Sequence, residues 1–157
     1  MAVTIAAGSK LFIGPANSTA DTKTAYEALT PYVEVGEIES IGEFGDQASE
    51  VTFTSIGDRR VRKFKGSFNA GTIQLTLARD LVNAGQADLR DALREDDDYA
   101  FMVTLSDELT PVTGKPTTFY FRGKVMSYTA NIGNADNVVR STVSIGINSA
   151  IVEVAAV

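Results

Sequence analysis

From Val139 to Asn148 the chain alternates without a fault. Val139, Ser141, Val143, Ile145 and Ile147 share one parity, and Thr142, Ser144, Gly146 and Asn148 share the other. A period of two sends successive side chains to opposite faces of a pleated strand, so this stretch is a strand and not a helix. The pattern recurs. Ile73, Leu75 and Leu77 oppose Thr72, Gln74 and Thr76; Phe101, Val103 and Leu105 alternate with Met102 and Thr104; Phe119 and Phe121 oppose Thr118, Tyr120 and Arg122. Shorter runs surround Val33 and Val35, and Val51 and Phe53, the latter with Thr52 and Thr54 on the opposite parity. The fold class expected is mainly β, a sandwich or barrel, with 157 residues forming one domain large enough for a core of its own.

One helix interrupts the strands. Asn83 is a capping residue, Gln86 completes a capping box, and Leu89, Ala92 and Leu93 form an apolar stripe, which predicts a helix over 84–95. That stripe needs a sheet to lie against. Leu11 to Ile13 reads as a first strand ended by Gly14-Pro15. The polar segment Ala16–Thr30 reads as a surface loop with a helical turn near Ala25–Leu29, and Pro31 bars its continuation. Between Val33 and Ile41 the phase slips, with Gly36 and Gly42 flanking a bulge or bend. Gly57-Asp58 marks a turn, Gly66–Gly71 a loop, Pro111 and Gly114–Pro116 another, and Gly123 a kink in the strand Thr117–Ala130. The chain closes on a short apolar tail, Ala150–Val157.

The polar strand faces carry Thr, Ser, Gln and Asn in place of Lys and Glu: Thr52, Thr54, Thr72, Gln74, Thr76, Thr142 and Ser144. Threonine suits a solvated sheet face on propensity alone. The strands Ile73–Leu77 and Ser141–Asn148 also lack the Lys, Pro or bulge that guards a free edge, so their edges are expected to be paired, inside the chain or with a second copy.

Charge is distributed abruptly. Glu27, Glu34, Glu37, Glu39, Glu43, Asp46 and Glu50 fall in a segment with no Lys or Arg, and Arg59, Arg60, Arg62, Lys63 and Lys65 follow. A subunit that meets a copy of itself head to tail has a use for such a change of sign. The other readings of the basic run are a solvated loop and a nucleic-acid contact. The second sits poorly in a chain of net charge −6.

The chain has no Cys and no His, which removes thiol nucleophiles, Ser–His–Asp triads, disulfides and the usual zinc sites. Carboxylates remain. Glu37 and Glu39 lie two apart in a chain with no Trp to form a sugar platform, which argues against a glycosidase pair. Glu95-Asp96-Asp97-Asp98 lacks the spacing and central Gly of a calcium loop and reads as a solvated turn, or as the acidic partner of a basic loop on a neighbour. No cofactor, metal or catalytic residue is expected. The N-terminus has no basic leader, and no stretch approaches the ~20 apolar residues of a spanning helix, so no membrane anchor is expected.

Order and spacing resemble the tail tube proteins of long, non-contractile-tailed phages and related phage-derived particles. The resemblance runs from GSKLFIG (8–14) through VEVGEIESIGEFGDQASEVTFTSIGDRRVRKFKG (33–66), AGTIQLTLARD (70–80), NAGQADLRDAL (83–93), YAFMVTLSD (99–107) and TTFYFRGKVMSYTANIG (117–133) to DNVVRSTVSIGINS (136–149). RKFKGSFNAGTIQLTL (62–77) and the helix opening N-x-G-Q-x-x-L-R carry most of it. It implies a β-sandwich or barrel with one flanking helix, and a sheet continued across subunits of a hexameric ring. The rings stack into a tube that conducts DNA at ejection. The implied partners are further copies of the chain, a tape-measure protein, a tail terminator and baseplate or tip proteins. The implied location is a virion tail assembled in the host bacterial cytoplasm. A loop over about 45–70 would bridge subunits or rings, and there is no room for an extra C-terminal domain.

The residues expected at subunit or ring contacts are Arg59, Arg60, Arg62, Lys63 and Lys65, against Glu37, Glu43, Asp96 and Asp97. The candidates for a lumen face or a polar sheet face are Thr52, Thr54, Thr72, Gln74, Thr76, Thr142 and Ser144, and the sequence does not say which strand faces line the lumen. A tube of a contractile-injection or secretion system, and a monomeric β-sandwich binding module, are the alternatives.

Overall fold

The computed structural model describes residues 3–110 and 112–157; Met1, Ala2 and the expected loop marker Pro111 lie outside the described residues. Among the described residues ten strands and two helices follow in the order β1 (Lys10–Ala16), α1 (Lys23–Ala28), β2 (Val33–Val35), β3 (Ile38–Ser40), β4 (Gln47–Thr54), β5 (Val61–Asn69), β6 (Thr72–Ala78), α2 (Ala84–Leu93), β7 (Tyr99–Thr104), β8 (Thr118–Asn131), β9 (Arg140–Ile147) and β10 (Val152–Val154).

Eight strands form one antiparallel sheet in the order β2-β1-β7-β8-β9-β6-β3, with β10 beside the first part of β8. Its terminal strands β2 and β3 are separated by only Gly36 and Glu37. The sheet therefore curls until its ends meet, and Glu37 makes that corner in a left-handed conformation (φ 61°). The result is a barrel-like body. Its interior holds the apolar parity of each strand: Leu11, Ile13, Ile73, Leu75, Leu77, Phe101, Phe121, Val143 and Ile145 are all buried. Phe101 and Phe121 stack at 5.4 Å across β7 and β8.

β6 and β9 are interior strands, β6 between β9 and β3, β9 between β8 and β6. β9 is paired along both edges within the chain, while β6 is paired along its length with β9 and, on its other edge, with β3 at Thr76 and Leu77.

Helix α2 closes the body beside β2 and β8, with Leu89 and Ala92 inside the core. Asn83 caps it as expected, its side chain accepting from the Gln86 N–H at 3.0 Å. Gln86 does not return the bond as in a capping box. It is fully buried, donates to the carbonyls of Gly36 (3.0 Å) and Ala78 (2.9 Å), and accepts from Asp80 N–H (2.9 Å) and the Tyr128 hydroxyl (3.2 Å). One amide thus ties the helix to the β2–β3 corner and to the end of β6. The helix stops at Leu93, short of 95, because Glu95–Asp98 would place four carboxylates at the negative end of its dipole.

The helical turn expected near Ala25–Leu29 in the polar segment is a short helix, α1. Thr22 caps it, and Tyr26 is buried on the outer face of the sheet, stacked on Tyr120 at 5.4 Å. Arg122 fastens this layer by donating to the carbonyls of Ser18 and Ala20 and to the Asp21 carboxylate.

Three boundaries also differ from expectation. β1 continues through Gly14-Pro15, where a shift in register absorbs the proline's missing N–H. β8 shifts register between Val125 and Ser127, not at Gly123, so Val125 and Tyr128 both face inward. The tail contains β10, whose Val152 and Val154 pack with Tyr120.

Candidate assembly surfaces

The region expected as a loop over 45–70 is a β-hairpin. β4 and β5 pair from Gln47↔Asn69 to Thr54↔Val61 and join no strand of the barrel. The Gly66–Gly71 loop is therefore β5 down to Asn69, because Gly66 and Ser67 form a bulge opposite Ser49 and leave the strand unbroken.

Alternation divides the hairpin into two faces. Val51 opposes Phe64 and Phe53 opposes Arg62 on one; Glu50 opposes Lys65, Thr52 opposes Lys63 and Thr54 opposes Val61 on the other. Both faces are open to solvent, and every residue of β4 is exposed. Val51, Phe53, Val61, Phe64 and Phe68 are each at least half exposed, and Ile56 at the tip is fully exposed. β4 carries no Lys or Pro, so it presents an unguarded edge of the kind first sought in β6 and β9. Sequence reasoning missed these side chains as a surface because an alternating strand with a polar parity looks the same whether its apolar parity meets a core or solvent.

The basic residues do not act as one cluster. Arg59 and Arg60 occupy the tip, Arg59 with φ 54°. Arg62 lies on the Phe53–Phe64 face, Lys63 and Lys65 on the other. Asp58 organises the tip. Its carboxylate accepts from the Arg60 N–H (3.1 Å) and the Arg62 guanidinium (2.6 Å), and those bonds, the backbone one first, hold it below the ordinary carboxylate range. Lys63 approaches Glu50 at 3.8 Å. Among the described residues Arg59, Arg60 and Lys65 make no ion pair.

The four expected acidic partners fall in two places. Glu37 and Glu43 bracket β3, and both are exposed. Asp96 and Asp97 lie in the α2–β7 turn, where Asp97 lines a shallow cleft with Asn17–Thr19 and the Asp96 carbonyl accepts from Lys124.

Five of the seven expected polar-face residues come together. Thr72, Gln74 and Thr76 lie on β6 in register with Gly146, Ser144 and Thr142 of β9, on the sheet's outer side, and Ser144 donates to Gln74 at 3.0 Å. Ser127 and Thr129 of β8 extend this face, opposite Ser144 and Thr142. The bulge near Met126 reverses their parity, which hid them from a reading by strict alternation. Thr52 and Thr54 are elsewhere, on the hairpin. The face bears no α1 and no β10, and its central rows are uncharged.

No family model matches the chain, and no curated protein matches it. Among solved structures it is similar to a chain of the six-fold symmetrised anti-feeding prophage baseplate (TM-score 0.73, 12% identity, covering 99% of this chain and 98% of that one). It is similar to a chain of the sheath/tube terminator of the PVC extracellular contractile injection system (0.68, 10%, 99% of each). It is also similar to the SPP1 tail tube (0.58, 12%, 92% of this chain and 75% of that one). The fold is therefore that of tail tubes and of tube-associated proteins of contractile injection systems, as the resemblance implied.

Proposed function

We propose that this chain is a structural subunit of a tail-like tube, built by self-association of the hairpin β4–β5 with neighbouring copies and without catalytic activity. The observation that carries the reading is the hairpin itself. It exposes apolar side chains on both faces, an arrangement that monomeric domains rarely maintain. Covering a large apolar side chain is worth ~1.5–3 kcal/mol, against ~0–1 kcal/mol for an exposed ion pair. Val51, Phe53, Ile56, Phe64 and Phe68 thus supply the affinity, while Arg59, Arg60, Arg62, Lys63 and Lys65 steer and fix register against Glu37, Glu43, Asp96 and Asp97.

In this reading the subunits close into rings, stacked into a tube. Six per ring is favoured by the six-fold symmetry of the similar baseplate. The β6–β9–β8 face, with Thr72, Gln74, Thr76, Thr142 and Ser144, lines the lumen: uncharged hydroxyls and amides offer passing DNA no cation to bind. A tape-measure protein, a terminator and baseplate proteins are the expected partners, in a particle tail put together in the host cytoplasm. A tube in a contractile injection particle is the second reading. The likenesses to such particles cover nearly the whole of both chains with higher TM-scores than the SPP1 tube.

Sedimentation and negative-stain microscopy across protein concentration and salt test the proposal. Rings or tubes are expected. A monomer under every condition, with or without a baseplate-type initiator, contradicts it and favours a monomeric binding module.

A further inference from the structure

The geometry points to a knob and socket between copies, resting on the tube reading above: Ile56 at the hairpin tip of one subunit seats in the apolar groove between β3 and β7 of the next. The groove is a cavity of about 520 Å³ beside the hairpin's root. Ile38, Ile41, Phe44, Val103, Leu105 and Phe119 supply its apolar lining. Ile38, Ile41 and Phe44 are only half-buried there, and the Ser9 hydroxyl on its wall is buried without a hydrogen-bond partner among the described residues.

The occupant is a second copy on three grounds. The chain's own tip is out of reach. Phe44 sits at the hairpin's root, and the seven steps from Gln47 to Thr54 carry the tip roughly 23 Å away, where Ile56 is fully exposed. The charges also match. Arg59 and Arg60 follow Ile56 in the tip and make no ion pair among the described residues, while Glu37 and Glu43, equally unpaired there, bracket the groove segment Ile38–Gly42. Finally, knob and socket are different patches of one chain. Their union is head to tail, which closes into rings or propagates as stacks.

The absence of cysteine allows a direct test on the full chain. Ile56→Cys and Ser40→Cys proteins are prepared separately, mixed, assembled and treated with a short bis-maleimide. A covalent heterodimer is expected from this pair and not from Ile56→Cys with Thr142→Cys. In parallel, Ile56→Asp should raise the concentration for half-assembly by roughly ten- to a hundredfold with an unchanged circular dichroism spectrum. Arg60→Glu should be rescued by Glu43→Arg. Tubes that form without the Ile56–Ser40 cross-link, or that tolerate Ile56→Asp, overturn the socket and leave the tube reading intact. Wild-type protein that forms no assembly overturns both.

Discussion

The barrel and the hairpin use the same strand vocabulary to opposite ends. In β6, Ile73, Leu75 and Leu77 are fully buried behind Thr72, Gln74 and Thr76. In β4, Val51 and Phe53 stand behind Thr52 and Thr54 in the same rhythm, yet every residue is exposed. One pattern is satisfied within the chain, and the other calls for a partner. A two-stranded ribbon is marginal in water by itself, so this hairpin is expected to gain most of its order from what covers it.

The largest effects should separate the two regions. Phe121→Ala, at the stacked centre of the barrel, should cost ~3–5 kcal/mol of stability in thermal or denaturant unfolding. Gln86→Leu should cost ~2–4 kcal/mol, since it strands the buried carbonyls of Gly36 and Ala78 and the Asp80 N–H. Gly85→Ala should cost ~1–3 kcal/mol: a Cβ there would meet the Glu34 carbonyl oxygen at 2.2 Å, and backbone does not give way. By contrast, Phe53→Asp with Phe64→Asp should leave monomer unfolding within ~0.5 kcal/mol of wild type while abolishing assembly in sedimentation. A comparable loss of monomer stability would show that the hairpin belongs to the barrel's cooperative unit.

The smallest effect is one of pH. The folded pKa of Asp58 is depressed, so its contribution to the tip is complete above the ordinary value of 3.8 and is lost as pH falls through the lower, folded value. Amide signals of Gly57–Arg60 should shift in that acid range while those of β6 and β9 stay fixed, and Asp58→Asn should remove the transition. Titration of the tip amides at neutral pH would contradict this assignment.

Much of the barrel was legible because its periodicity and its burial agree. The β6 and β9 faces, the cap at Asn83 and two of the three residues of the apolar stripe, Leu89 and Ala92, followed from local pattern, whereas Leu93, the third, is exposed. What escaped reading depends on distant parts of the chain. The β2–β3 corner closes the sheet only because β1 and β6 receive its two sides, and Gln86 reveals its four bonds only once Gly36, Ala78, Asp80 and Tyr128 converge. For the assembly surfaces, the basic residues were visible as a run. Their division between the tip and two faces required the register of β5 with β4. The apolar side chains beside them, which outweigh the charges energetically, resembled core.

Hydrogen exchange, followed from dilute monomer into assembled particles, tests most directly whether the hairpin finds its partners only in the polymer. Residues 47–69 should exchange rapidly in the monomer and slow by roughly a hundredfold or more on assembly, as a fraying element acquires a covered surface. The amides of β6 and β9 should be protected throughout. Equal protection of hairpin and barrel in the monomer, or a hairpin that stays unprotected in the assembly, would contradict it.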